Sequence, residues 1–298
     1  MKKILLTGGN GFIGKNILES FLSEKYEIIA PKSSELNLYD TACVDDFFKD
    51  KFFDVILNAA TKPSHRNAKD PTDIFCTNVK MFENLKYHKD KFNKFINFGS
   101  GAIYDTSKNI RLAKEESRFD NFGEKDHDKC KYVIAKQIED LDNFIDLNIF
   151  GVFGKYEDWH IRFISNAICK TLFDLPITLR QNRRFSYLFV EDLMPILEFF
   201  IENKVKYKSY NVVPDEAIEL LEVAKIVKKI SKKNIDIIVA KEGFGLDYTG
   251  DNSRLKDELT DKFAQIKFTK IEQAVSALYN YYEKNLNLMD KNILLQDR

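Results

Sequence analysis

No excess of charge of either sign runs through this sequence: lysine plus arginine and aspartate plus glutamate each number 46 in 298 residues. A balanced chain has no global field to draw it onto nucleic acid or an anionic membrane, so neither partner is expected. Cysteine is sparse. Cys43, Cys76, Cys130 and Cys169 lie far apart with no CxxC and no Cys/His cluster, which argues against a disulfide framework and against a zinc site. Long apolar runs are also missing. The start, MKKILLTGG, carries an apolar stretch only from Ile4 to Leu6, too short for a signal-peptide core or a membrane span. The expectation is a cytoplasmic protein with free thiols, no bound metal, no internal repeat and no low-complexity tract.

What is present is alternation. Short apolar runs at Lys3–Leu6, Glu27–Ala30, Val55–Asn58, Phe95–Phe98 and Leu147–Val152 predict strands. Between them, Phe12–Ser23, Thr41–Lys49, Asp73–His88 and Asp128–Ile145 space their apolar residues by three and four and predict helices. Strand and helix in turn imply βαβ units, hence an α/β chain with a doubly wound parallel sheet, the Rossmann arrangement. Beyond Gly154 the pattern is irregular. Helices are expected near Ile161–Leu172, Asp192–Glu202, Glu216–Lys229 and Ile271–Glu283, and strands near Ile177–Leu179, Leu188–Val190, Ser209–Val213 and Ile235–Val239. We expect a dinucleotide-binding domain over 1–155, with 183–207 returning to it. A smaller discontinuous α/β substrate domain then covers 156–285, and 286–298 form a loose polar tail.

The string TGGNGFIG, from Thr7 to Gly14, places Gly8, Gly11 and Gly14 three apart, directly after the first strand and at the mouth of the first helix. Glycine lets the backbone approach a pyrophosphate closely, and the helix start offers free N–H groups, so this loop predicts a dinucleotide cradle that includes Phe12 and Ile13. Asn58, Ala59 and Ala60 end a later strand and put small residues beside the cofactor ribose. After the second strand, where an acidic residue usually holds the adenosine ribose, stand Pro31, Lys32, Ser33 and Ser34. With no carboxylate at that point, and with Lys32 and Ser33 able to hold a 2′-phosphate, NADP(H) is favoured and NAD remains open.

Tyr132 and Lys136 lie four apart in CKYVIAKQIEDL, a spacing that stacks two polar side chains on one helical face. An adjacent ammonium favours the phenolate that lets a tyrosine pass a proton to or from a sugar oxygen. Ser100 follows the strand Phe95–Phe98, at the sheet edge where ligands bind in this architecture, and can hold the reacting oxygen.

TGGNGFIG, then NAA, then a serine four residues before the tyrosine of AIY, then YxxxK, resemble the extended short-chain dehydrogenase/reductase family: the nucleotide-sugar epimerases, dehydratases and reductases. Asn78-Val79 opening a helix, FGVFG at 150–154 and VEDL at 190–193 fit the same pattern. The resemblance implies that Ser100 positions substrate, Tyr132 is the acid-base, Lys136 contacts the nicotinamide ribose, and Asn78 lies at the cofactor. It also implies a homodimer through the helices at 73–88 and 128–145. Dehydratases of the family carry an Asp-Glu pair where Gly101 and Ala102 stand here, so dehydration is not expected. The chain also resembles the 4-keto reductases of the GDP-fucose synthase type, whose bifunctional members use a cysteine at the position of Ala102 and a histidine matched here by His160. A nucleotide-diphosphate substrate needs cations. Arg183, Arg184 and Arg254 suit phosphate oxygens, and Arg162 and Asn166 are weaker candidates for touching sugar or diphosphate. The expected activity is NADPH-dependent reduction of a keto group on a nucleotide-linked sugar, as in bacterial-type surface-polysaccharide or deoxysugar biosynthesis. The alternatives are an NAD-dependent 4-epimerase and a non-catalytic NADP-binding regulatory protein.

Overall fold

The computed structural model describes residues 1–65, 67–263 and 266–295. In chain order the first half runs β1 (Lys3–Thr7), α1 (Phe12–Leu18), α2 (Phe21–Lys25), β2 (Glu27–Ile29), α3 (Thr41–Phe48), β3 (Phe53–Asn58), α4 (Ile74–Tyr87), β4 (Phe92–Ser100), β5 (Ile110–Ala113), α5 (Asp126–Glu139), β6 (Phe144–Ile149) and β7 (Gly151–Phe153). The second half runs α6 (Phe163–Leu172), β8 (Ile177–Asn182), β9 (Arg184–Phe185), β10 (Tyr187–Phe189), α7 (Leu193–Glu202), β11 (Ser209–Val212), β12 (Ile218–Glu219), α8 (Leu220–Ser231), β13 (Ile237–Phe244), β14 (Tyr248–Gly250), α9 (Ser253–Phe263), α10 (Ile271–Lys284) and α11 (Lys291–Leu295).

Six parallel strands form the main sheet in the order β11-β6-β4-β3-β1-β2. Its strands are apolar on both faces, as a sheet covered on both sides requires. Ile4 and Leu6 of β1 and Val55 and Leu57 of β3 face a core shared with α1, α2, α7 and α9. Leu5 and Ile56 alternate to the other face, against α3, α4 and α5, where Phe53 at the start of β3 also packs. Each such wholly buried aliphatic side chain contributes roughly 1.5–3 kcal/mol. The winding reverses between β1 and β3, so a crevice opens there at the carboxyl ends of the strands.

A second core joins α6, α8 and α10 to β8 and β10, with Phe153, Ile168, Leu179, Val223 and Leu278 at its centre. The four short strands β12, β9, β14 and β5 pair into a sheet of their own, and a small apolar cluster of Ile103, Tyr104, Ile110, Ala135, Phe150 and Val213 sits beneath it. No helix among the described residues is long and apolar enough to cross a membrane.

Several elements differ from their expected spans. The helix expected over Phe12–Ser23 is two, because Ser20 leaves helical geometry and its hydroxyl accepts from the Leu22 N–H to start α2. The one expected over Asp128–Ile145 stops at Glu139, and Phe144 and Ile145 already belong to the wholly buried β6. The strand expected over Leu147–Val152 divides at Phe150, after which β7 pairs with β10. The segment expected as a loose tail is packed: Met289 and Leu294 are 8% and 2% exposed and join the second core, while 296–298 lie outside the described residues.

Candidate active site

The glycine loop turns at Gly8, whose φ of 72° suits glycine and where a Cβ would stand 2.7 Å from the Ala59 backbone. Gly14 is tighter still, since its Cβ would lie 2.3 Å from the Gly8 carbonyl. No side chain caps the start of α1 at Gly11. The loop floors a groove of about 260 Å³ lined among others by Thr7, Gly8, Gly11, Pro31, Ser33 and Ala60. A side-chain-free cradle at a strand–helix turn, opening into a groove, fits a dinucleotide. Phe12 and Ile13 pack against the first core. A larger cavity of about 520 Å³, lined by Lys2, Asp54 and Lys94, includes the starts of β4 and β6, the edge opposite to where ligands bind in such sheets.

Four neighbouring strands each contribute one buried polar side chain, in register, beside that groove. Thr7 donates to Asn58 at 2.7 Å, Asn58 to Asn97 at 2.9 Å, and Asn97 to Asp146 at 2.7 Å. Burial pushes the Asp146 carboxyl up, and Asn97, Arg118 and Lys131 oppose that rise. Sequence reading found Thr7 and Asn58 but not Asn97 or Asp146, because a polar residue inside an apolar strand carries no short-range pattern. Asn78, expected at the cofactor, is engaged within the fold. It accepts from the Lys62 N–H at 2.7 Å and the Thr61 hydroxyl at 3.0 Å, and donates to the Ile74 carbonyl at 2.9 Å. A carboxylate does reach the turn after β2: Glu35 accepts from the Lys32 backbone N–H at 2.7 Å.

Ser100 ends β4, and its Oγ lies 3.3 Å from the Tyr248 Oη of β14. Burial pushes the Tyr248 phenol up to about 12, with Ser100 pulling the other way, so both hydroxyls are neutral donors at pH 7. Tyr248 escaped the sequence reading because nothing around an isolated tyrosine at 248 announces a site. A Cβ at Gly101 would stand 2.5 Å from the Phe150 ring, and Ala102 is buried. Neither position has room for the carboxylates of a dehydratase.

The YxxxK pair is not brought to Ser100. Tyr132 is wedged edge-on between the rings of Phe119 and Phe122, and among the described residues it makes no hydrogen bond. Lys136 is exposed, with Nζ 3.8 Å over the Phe119 ring. α5 instead buries Asp128, Cys130, Ile134, Ala135 and Ile138, and Lys131 donates from Nζ to the Phe98 carbonyl at 3.2 Å. Asn58, Asn97 and Lys131 line one small gap of about 20 Å³ that shares Ala60 and Met81 with the cofactor groove.

The cations divide into two groups. Arg184 is engaged by Glu219 at 3.3 Å and Asp247 at 4.0 Å. Arg254 is held by Glu116, by the Ser209 carbonyl at 3.2 Å and over the Tyr207 ring. Both are therefore spent within the fold. Arg162 and Arg183 make no ion pair among the described residues. Burial lowers the Arg183 guanidinium, which lies over the Phe185 ring at 4.7 Å with its Nε unpartnered and within the field of Tyr187, Asp247 and Tyr248. Arg162 is exposed, and its charge acts on Tyr248. Asn166 is buried and donates to the His160 carbonyl at 3.1 Å, fixing the turn before α6. His160 itself stacks edge-on against Trp159 and lies 3.3 Å from Asn67 and 3.6 Å from Asp158.

Residues 4–213 match the model of the NAD dependent epimerase/dehydratase family. The chain is 26% identical over 251 residues to GDP-L-colitose synthase of Yersinia pseudotuberculosis, covering 76% of this chain and 82% of that one. In fold it is similar to a GDP-L-fucose synthetase from Naegleria fowleri, with a TM-score of 0.82, 16% identity and 97% and 95% of the two chains covered. It is likewise similar to a GDP-mannoheptose C4 reductase from Campylobacter jejuni solved with NADP bound, with a TM-score of 0.75, 18% identity and 95% and 98% covered. With its glycine cradle, polar strand row and Ser100 at the carboxyl end of β4, the chain belongs to the NAD-dependent epimerase/dehydratase family and is an NAD(P)-dependent enzyme of the extended short-chain dehydrogenase/reductase type.

Proposed function

We propose that this enzyme reduces a keto group on a sugar carried by a nucleoside diphosphate, with NADPH as the reductant. The observation that carries the reading is the disposition of Arg162 and Arg183: two guanidiniums without ion pairs among the described residues, both acting on Tyr248, which touches Ser100. An anionic diphosphate satisfies such cations through charge-assisted hydrogen bonds and leaves the sugar beside the hydroxyl pair. When bound, NADPH supplies a hydride. Ser100 and Tyr248 hold the carbonyl oxygen by two hydrogen bonds and so favour the charge that develops on it during reduction. The GDP-sugar enzymes among the relatives support guanine as the base, and the neighbours with NADP bound support NADPH.

Epimerisation at the carbons beside the ketone needs acid-base groups on both faces. Ala102 cannot move a proton, and His160 is tied to Asn67, Asp158 and Trp159. We therefore propose simple reduction, in a homodimer built through the layer of α4 and α5, where Tyr87 is 77% exposed. Light scattering that shows a monomer at micromolar concentration removes the dimer. For the reaction, a panel of 4-keto nucleotide sugars is offered with NADPH in deuterated water. The expected result is NADPH consumption with no deuterium at neighbouring carbons, and a KM for the sugar nucleotide raised about tenfold or more in Arg183→Met. Deuterium gained at C3 or C5 overturns simple reduction. An unchanged KM removes Arg183 from the substrate site.

A further inference from the structure

α5 carries two polar pairs, each one helical turn long: His127 with Lys131, and Tyr132 with Lys136. They are offset by five residues, which at 3.6 residues per turn rotates one pair about 140° from the other. The buried residues Cys130, Ile134 and Ile138 share the His127–Lys131 side of the helix. Lys131 reaches the Phe98 carbonyl, two residues before Ser100, and shares the gap lined by Asn58 and Asn97. His127 is half-buried, with Arg162, just before α6, near enough to act on it. Arg162 also acts on Tyr248, the partner of Ser100. The second pair is taken up by Phe119 and Phe122.

We propose that His127 exchanges the proton with the substrate oxygen held by Ser100 and Tyr248, and that Lys131 faces the nicotinamide end of the groove, so that HxxxK stands here where the family has YxxxK. The substrate named rests on the ketoreductase reading above. In the reductive direction the carbonyl carbon gains hydride from NADPH, the π pair moves to oxygen, and the oxygen takes a proton from the His127 imidazolium. The products are the alcohol, NADP⁺ and neutral imidazole, which regains a proton from solvent. In the protein without ligands, burial foremost, and then Lys131, Arg162 and Lys125, push His127 down to about 4, so the ring is neutral at pH 7. Two of those cations, Lys131 and Arg162, are also the ones placed here to meet ribose and diphosphate oxygens. Ligand binding therefore offsets their repulsion and raises His127 toward the range where an imidazolium donates.

Four variants and one titration test this. His127→Gln lowers kcat at least about a hundredfold and leaves the Kd for NADPH within about threefold. Lys131→Met weakens NADPH binding about tenfold by calorimetry, whereas Tyr132→Phe and Lys136→Met change neither quantity more than about threefold. NMR of the histidine rings shows the His127 titration moving up by a pH unit or more when NADP⁺ and GDP are added together. Loss of activity in Tyr132→Phe with activity kept in His127→Gln overturns the proposal. So does an unmoved His127 titration, a measurement on the wild-type protein that stands even where a variant fails to fold. If the wild type reduces no keto sugar nucleotide, the function reading fails alone, because the NADPH affinities of Lys131→Met and Lys136→Met still decide which pair faces the cofactor.

Discussion

The two ends of the proposed active site are built by opposite rules. The cofactor end is backbone: eight consecutive residues, Thr7 to Gly14, in which Gly8 and Gly14 are required by backbone contacts of 2.7 and 2.3 Å that no Cβ can enter. The proposed substrate end is side chains collected from distant segments, with Ser100 on β4, Tyr248 on β14, and Arg162 and Arg183 on either side of α6 and β8. A backbone site tolerates almost no substitution yet can be recognised wherever the string occurs. A side-chain site can be revised one residue at a time, and its members are identified only once packing has fixed which way each element faces.

The largest expected effect tests the first half of that contrast. Gly14→Val sets a branched side chain against the Gly8 carbonyl and the Gly9 Cα, 2.3 and 2.7 Å from the new Cβ. The loop must move as a unit, and NADPH affinity by calorimetry should fall at least about a hundredfold. Affinity kept within tenfold would show that the cradle does not depend on close backbone approach.

The contrast also explains what the sequence disclosed. The glycine loop, the alternation of strands and helices, and Ser100 at a strand end are local patterns, and the structure keeps them in that order, with some elements shortened or split. The rotation of α5 is not local. Its apolar stripe of Cys130, Ile134 and Ile138 lies nearly opposite Tyr132, a sign that the YxxxK pair faces outward. The stripe, not the YxxxK spacing, sets which side of α5 is buried. Which arginines stay available is not readable at all without the fold, because Arg183 and Arg184 are adjacent and only the pairing of β9 with β12 delivers Glu219 to Arg184. Tyr248 belongs to a three-residue strand whose partners are far away in sequence.

A smaller effect concerns stability and is placed at the substrate end. Glu157 is 5% exposed and accepts a hydrogen bond from Ser165, whose hydroxyl in turn accepts from Tyr282 at 2.8 Å. Burial is the leading cause that raises its carboxyl from 4.5 to about 8, against the pull of Ser165 and Arg162. The folded state thus holds a proton that the unfolded chain has released, so this stabilisation is complete below about pH 4.5 and is lost as pH rises through about 8. Glu157→Gln keeps an acceptor for Ser165 but cannot ionise. Its Tm should fall less than that of wild type between pH 5 and 8, a difference on the order of 1–3 kcal/mol at the upper end. Parallel curves for the two proteins would show that Glu157 is ionised in the fold. Asp146, also raised by burial at the cofactor end, retains its own share of the slope.

The smallest effect lies where the backbone rule gives way to side chains within the cofactor end itself, at the turn after β2. Ser33 lines the groove, Lys32 adds a cation, and Glu35 brings a carboxylate to the Lys32 N–H. A 2′-phosphate is favoured by the first two and opposed by the third, whereas a free ribose 2′-hydroxyl can donate to Glu35. The balance is close because all three are near solvent, where a single charge-assisted contact is worth little. Replacing Lys32 and Ser33 together by alanine should lower the preference for NADPH over NADH several-fold, and Glu35→Gln should raise it by a similar factor. Both are read as ratios of Kd by fluorescence at fixed ionic strength, since salt screens such contacts. A wild-type enzyme that binds NADH more tightly would identify Glu35 as the ribose-holding carboxylate and make NAD the working cofactor. The cradle at Gly8 and Gly14 would be untouched by that outcome, because the pyrophosphate it receives is common to both dinucleotides.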